Sequence, residues 1–263
     1  AVRVEHLGLG GVDRVAGAVR VEVEPEPHHG LGKVDEDRGT GTREALFAVA
    51  QAIIDRSGKH LLGMVDDVLS LSRIEAGRIE LREEPFDVAQ TLKDIGLMFK
   101  SRAGGKGLQF DLELDAGLTP YLQGDAGKLR QVLINLLGNA VRYTEEGHVW
   151  LRARSQPVAD DSAGVILHLE VEDTGPGIPG DQLDRVFEAF VQGEQLGDGK
   201  RGTGLGLTIS RSLVGMMGGE ISVESESGRG ALFRVTVSMQ LAEAGAVAAG
   251  EGAMPEVVGL QAG

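Results

Sequence analysis

QVLINLLGNAVRYT, residues 131–144, is the stretch on which the fold turns. Asn135 and Asn139 stand four apart amid Leu and Ile, so a helix puts both on one face, about 5–6 Å apart at Cβ. Arg142, three residues further, shares that side. Asparagine is an indifferent helix former, and two of them in an apolar helix suggest a task. An amide oxygen is a hard ligand suited to Mg²⁺, and a neighbouring guanidinium can meet phosphate oxygens. Taken alone, the pair reads more readily as one capping and one surface asparagine. Asp125 is placed to cap this helix, which runs to about Tyr143.

Two further clusters follow in order. EDTGPGIP, residues 172–179, comes directly after an apolar strand. Gly175 and Gly177 permit tight turns and close backbone approach, while Pro176 fixes one φ angle. Asp173, at the strand end, can accept a hydrogen bond from a donor such as an adenine amino group. An ordinary Asp-Gly turn explains the same string. GKRGTGLGLTIS, residues 199–210, runs its glycines into a helix, which aims backbone N–H groups and the positive helix end at phosphate. Lys200 and Arg201 add positive charge. The string is not a P-loop, since no Gly-Lys-Ser/Thr follows, nor a Rossmann fingerprint, since no βαβ unit surrounds it.

Outward from these clusters, periodicity predicts the rest. Residues 87–102 and 205–217 read as helices, and 108–114, 148–155, 165–172, 220–226 and 231–239 as strands. Upstream, Leu46, Val49, Ile53, Leu61, Met64, Val68 and Leu71 form a long helical stripe over 44–76 that Gly77 ends. Ser57-Gly58 is a point where it loosens. A stripe of this length needs a partner, either a second helix or another copy of the chain. Glu83-Glu84-Pro85 reads as a hinge. Residues 1–43, broken by Pro25 and Pro27, read as irregular or disordered, and 241–263 as an Ala/Gly-rich flexible tail. The expected division is therefore 1–43, 44–81, 82–240 and 241–263.

Composition excludes several classes. The formal net charge is −14, with 40 acids against 26 bases, so no basic face for nucleic acid is expected. Cysteine is absent, which removes disulfides, thiolate metal sites and cysteine nucleophiles. No apolar run approaches the ~20 residues of a membrane span, and no signal segment is recognised. A cytoplasmic protein without a membrane segment is the expectation.

Taken together and in this order, the three clusters resemble the N box and two glycine boxes of the sensor histidine kinase ATP-binding domain. That domain belongs to the Bergerat-fold family shared with gyrase, the MutL repair proteins and the heat-shock chaperones. FEAFVQGE (187–194) resembles the box opening the ATP lid, with Phe187 and Phe190 as lid packing; SESGRGALFRVTV (225–237) resembles the closing glycine turn and strand. SGKHLLGMVDDVLSLSRIEAGRIELREEPFDV (57–88) is similar to the second helix of the kinase dimerisation domain and its junction. The resemblance implies an α/β two-layer sandwich, a mixed sheet covered by helices, preceded by a long helix from a helical hairpin.

It also implies roles. ATP and Mg²⁺ would be the ligands, with Asn139 binding the metal, Arg142 contacting phosphate and Tyr143 lying against adenine. Asp173 would read the adenine amino group, Gly175, Gly177 and Ile178 would shape the base pocket, and Lys200, Thr203, Gly204, Leu205 and Gly206 would form lid and phosphate turn. Asn135, assigned to the catalytic set, stands where hydrolysing relatives carry a general-base Glu. An amide cannot take up a proton there, whereas phosphoryl transfer needs mainly positioning and charge stabilisation. A histidine acceptor and a response regulator would be the partners, with a homodimer through 44–76.

The chain departs from the pattern in one respect. The acceptor box, a Ser-His-Glu-Leu-Arg-Thr-Pro-Leu-like string, does not occur, so the phosphoacceptor is unknown. His6 and the His28-His29 pair have the wrong neighbours; His60 reads as a helix-interface residue, and His148 and His168 as structural strand residues. A truncated kinase with a foreign N-terminus, or one acting on a histidine in trans, accounts for this. The alternatives are a nucleotide-binding regulatory module without kinase activity, or an ATPase or anti-sigma-type serine kinase on the same fold.

Overall fold

The computed structural model describes residues 37–159, 161–191, 203–243 and 245–246. The expectations for Lys200, Arg201, His6, His28, His29 and most of residues 1–43 and 241–263 lie outside them, as do the side chains of Leu46, Val49, Ile53 and His60. The chain forms two compact units, residues 1–56 and 57–263. The described part of the first is helical.

Helix α1 (Asp37–Glu75) begins earlier than the period suggested, so 37–43 are helical instead of irregular. It runs through Ser57-Gly58 without interruption and ends at Gly77, whose φ of 62° favours a residue without Cβ. In the second unit Leu61, Leu62, Val65, Val68 and Leu69 of α1 are all exposed, between 49% and 66%. Leu71 and Ile74, on its last turn, pack against the core.

Glu84-Pro85 is not a hinge. It opens β1 (Glu84–Asp87), which pairs antiparallel with β3 (Tyr121–Gly124), Pro85 standing opposite Gln123. β1 lies at the sheet edge, where a residue lacking N–H is tolerated. These four-residue strands escaped periodicity because so short a run shows no reliable alternation. Asp87 then caps α2 (Val88–Gly104), accepting from the Gln90 N–H at 2.7 Å.

The seven-stranded sheet has the order β1-β3-β7-β5-β4-β2, with β6 (Glu220–Glu226) on the same edge of β7 (Gly230–Leu241) as β3. Among the described residues only β2 (Gln109–Leu114) and β4 (His148–Val158) pair in parallel; β5 (Asp161–Asp173) is antiparallel to β4 and β7. The two central strands alternate cleanly. Val165, Leu167, Leu169, Val171 and Asp173 of β5 turn inward, as do Ala231, Phe233, Val235, Val237 and Met239 of β7. Helices α2, α3 (Ala126–Tyr143) and α4 (Gly206–Met216) cover that face. The core therefore sits between one sheet face and three helices, a mixed two-layer α/β sandwich as expected. Each fully enclosed Leu or Phe contributes about 1.5–3 kcal/mol.

The other sheet face carries charge. Arg152 joins Glu113 and Glu172 across strands, and Arg234 joins Glu170 and Glu224. His148 stacks on Trp150 with ring centroids 3.9 Å apart and pairs with Asp111 at 2.7 Å. His168, whose Nε2 is buried without a partner, is held below the usual imidazole range by burial and then by the Arg154 charge.

Candidate functional site

Helix α3 starts at Asp125, which does more than cap it. One carboxylate oxygen accepts from the Lys128 N–H at 2.8 Å, and the other from the Arg82 N–H at 3.0 Å. The cap thus ties the helix to the chain entering the sheet. Leu129, Val132, Leu133, Leu136, Leu137 and Ala140 bury one face of α3, which leaves Asn135, Gly138 and Asn139 half-buried beside it.

That remaining face borders a cavity of about 660 Å³. From α3 it is lined by Asn135, Asn139, Arg142 and Tyr143, and from the turn after β5 by Asp173, Gly177 and Ile178. Thr203, Gly204 and Gly206, ahead of and inside α4, close another side. Ten of the thirteen predicted residues therefore meet at one hollow. Gly175 stays behind it and donates its N–H to Asp173 Oδ1 at 2.8 Å. Leu205 turns into the core at 1% exposure, and Lys200 lies outside the described residues.

Asp173 is 8% exposed. Burial pushes its carboxyl above the ordinary carboxylate range; the Gly175 and Ala231 N–H groups and the adjacent Thr144 hydroxyl oppose the shift, and Glu172 adds to it. The turn behind it is held by close backbone packing. Gly177 has φ 69°, and a Cβ there would stand 2.1 Å from the Glu226 carbonyl oxygen. Gly228 donates to the Pro176 carbonyl at 2.7 Å, and Ile178 N–H donates to Ser225 Oγ at 2.8 Å. The β6–β7 turn is thus the floor beneath this loop, and Gly177 is needed for protein backbone to approach there.

Asn135 is engaged with protein as well. Its amide donates to Ser210 Oγ at 2.8 Å, and a Cβ on Gly206 would stand 2.2 Å from its Oδ1. It joins α3 to α4. Gly206→Ala is expected to part these helices and cost about 1–3 kcal/mol. Gly138→Ala, where a Cβ meets nothing within 4 Å, should be neutral or slightly stabilising. Urea unfolding midpoints of the two variants check the contrast.

Sequence reasoning missed four contributors. Gly63 and Asp67 of α1 line the cavity, and Asp67 Oδ2 accepts from Thr203 Oγ1 at 2.8 Å. Thr144, at the end of the deciding stretch, is fully buried, and its hydroxyl has no well-formed hydrogen bond. Lys106 donates to three carbonyls at the end of α3. A hydroxyl next to a helix end and a lysine in a Gly-Lys-Gly turn carry no local signal of this kind. Phe187 packs edge-on against Phe233, whereas Phe190, at φ 64°, is 67% exposed.

Chemically, the hollow offers a buried acceptor at one end, an aromatic ring and aliphatic wall beside it, and amide, guanidinium and glycine-turn groups elsewhere. Among the described residues no group of three or more His, Cys, Asp and Glu could hold a metal ion. The Asn139 amide oxygen at the cavity could hold a divalent ion together with oxygens brought by a ligand and water.

Residues 124–241 match the model of the family described as histidine kinase-, DNA gyrase B-, and HSP90-like ATPase. The chain is 38% identical over 220 residues to the sensory/regulatory protein RpfC of Xanthomonas campestris, covering 82% of this chain and 30% of that protein. It is 38% identical over 174 residues to the aerobic respiration control sensor protein ArcB of Escherichia coli, covering 65% and 22%. The chain thus spans less than a third of either relative. Among solved structures, full-length ShkA in complex with AMPPNP superposes with a TM-score of 0.62 at 38% identity, covering 73% of this chain and 39% of that one. The Acinetobacter baumannii histidine kinase AdeS gives 0.55 at 26% identity, covering 80% and 88%.

Proposed function

We propose, from the premise that residues 124–241 belong to the family of histidine kinase-, DNA gyrase B- and HSP90-like ATPases, that this chain is the ATP-binding catalytic core of a two-component sensor histidine kinase. The observation carrying this reading is the convergence of Asn139, Asp173 and the turn at 203–206 on one cavity. Adenine enters at the Asp173 end, its amino group donating to the carboxylate while Tyr143 and Ile178 flank the ring. The phosphates extend toward the start of α4, where unpaired backbone N–H groups and the helix dipole favour negative charge. Arg142 adds mobile positive charge from the end of α3. The Asn139 amide oxygen would hold a Mg²⁺ ion, which would supply positive charge against the phosphates.

The reaction is transfer to an imidazole nitrogen of a histidine acceptor: the N–P bond forms as the bond to the β-phosphate oxygen breaks, and ADP leaves. Asn135 cannot deprotonate water, which disfavours hydrolysis as the main outcome. The exposed apolar residues of α1 suit a second copy of the chain or a partner acceptor helix. A response regulator then receives the phosphoryl group. Among the described residues no helix is long and apolar enough to cross a membrane.

Incubation with γ-labelled ATP and Mg²⁺, with and without a separately expressed acceptor-helix domain, tests this directly. Acid-labile, alkali-stable label on the added domain is expected. Free phosphate at a multiple-turnover rate would make the chain a hydrolase. Nucleotide uptake without either product would make it a regulatory module.

A further inference from the structure

Lys106 lies in the tight turn between α2 and β2, far in sequence from the clusters that line the cavity. Its ammonium donates to the carbonyl oxygens of Val141 at 2.7 Å, Arg142 at 2.9 Å and Thr144 at 2.7 Å. The last carbonyls of a helix have no partner inside it, and an ammonium carries three donors and suits the negative helix end. One lysine therefore satisfies the end of α3 from outside.

The support behind it is rigid. Ala103, the last buried residue of α2, accepts from both the Lys106 and the Leu108 N–H groups at 2.9 Å. Gly107, at φ 79°, turns the chain, and Gln109 N–H enters β2 by bonding to Gly147 O at 3.0 Å. What the lysine holds is the part of α3 nearest the base end of the cavity. Tyr143 lines it, and Thr144 is wholly buried against Asp173. A Cβ on Gly175 would come within 2.8 Å of Asp173 Oδ1 and 3.1 Å of Thr144 Oγ1, so both oxygens border the same small space.

We propose that Lys106 is a positioning residue for base recognition: by holding the last turn of α3 it keeps Tyr143 at the cavity and Thr144 against the carboxylate of Asp173. This rests on the reading of the cavity as an adenine-nucleotide site. Without the lysine the final turn frays, and Asp173 loses one of the groups that hold its carboxylate, the Gly175 and Ala231 N–H groups remaining. Adenine suffers more than guanine, because only adenine presents an amino group to that carboxylate in this orientation.

Calorimetry on the full chain with Mg²⁺ and non-hydrolysable ATP and GTP analogues tests it. Lys106→Met is expected to weaken the ATP analogue about tenfold and the GTP analogue less than about twofold, collapsing the preference. Lys106→Arg should restore part of it, since a guanidinium reaches the carbonyls but cannot match three of them. Thr144→Val leaves the lysine in place and should give the same loss of preference, so a failure of Lys106→Met to fold does not close the question. Equal weakening of both analogues, or an unchanged preference in Thr144→Val, overturns the inference and leaves the nucleotide site standing. A wild-type chain that takes up neither analogue overturns the nucleotide reading itself.

Discussion

Asp173→Asn is expected to weaken binding of an ATP analogue on the order of a hundredfold, in line with ~1.5–3 kcal/mol for a hydrogen bond to a charged group. The variant should be at least as stable as the parent at neutral pH. The carboxylate already receives the Gly175 N–H at 2.8 Å, and the Ala231 N–H also points to it. An amide keeps its oxygen on these N–H donors and turns its own NH2 toward the cavity, where it meets the adenine amino group donor to donor.

The sign of the stability effect follows from the shift. Burial raises the carboxyl above its ordinary value, so the native state holds this proton more tightly than the unfolded chain. The group's contribution to stability is thus most favourable below the ordinary carboxylate range. It is lost as pH rises through the interval between that range and the raised value. At neutral pH the buried charge is a liability, which the amide removes. Base binding runs the other way, weakening as pH falls and Asp173 takes up its proton. Calorimetry and urea unfolding, each at neutral and mildly acidic pH, measure both halves. An asparagine variant that binds as tightly as the parent would falsify the assignment of Asp173 to the base.

Gly230→Ala should destabilise the chain by about 3 kcal/mol or more, since both a left-handed backbone and a hard overlap are involved. That corresponds to a melting shift of roughly 6–12 °C for a domain of this size. Gly230 has φ 90°, and a Cβ there would lie 1.8 Å from the carbonyl oxygen of Asp173 and 2.8 Å from its carbonyl carbon. Both are backbone atoms at the pairing of β5 with β7, so no rotamer change relieves the contact. Gly228→Ala is the control. Its φ of 83° imposes the same kind of backbone strain, but a Cβ meets nothing within 4 Å. The difference between the variants isolates the overlap. If both lose the same stability, the close approach of the β6–β7 turn to the Asp173 loop carries no energetic weight.

Much of the fold was legible because its signals were local. The α3 helix, the Asp125 cap and the alternation of β5 and β7 all appear in short windows; α3 and β7 lie within two residues of expectation, while β5 begins four residues earlier. β1 and β3 were not legible, being four residues each and held by pairing across some forty residues. The candidate site divides the same way. Ten predicted residues share the cavity, yet Leu205 belongs to the core and Asn135 spends its amide on Ser210. Glycine-rich strings do not reveal whether a ligand or the protein's own backbone makes the close approach. At Gly177 it is the Glu226 backbone, and at Gly206 the Asn135 side chain.

By itself the sequence determined which side chains share a face and where elements stop, because helical and strand periods, caps and left-handed glycines are properties of a few neighbouring residues. Tertiary structure alone decided that the Asn139 face, the Asp173 turn and the start of α4 enclose one space, walled also by Gly63 and Asp67 and steadied by Lys106 from 35 to 38 residues away. Those outcomes depend on apolar faces being buried against one another and on hydrogen bonds that close only once the chain has packed. No local pattern encodes such distances.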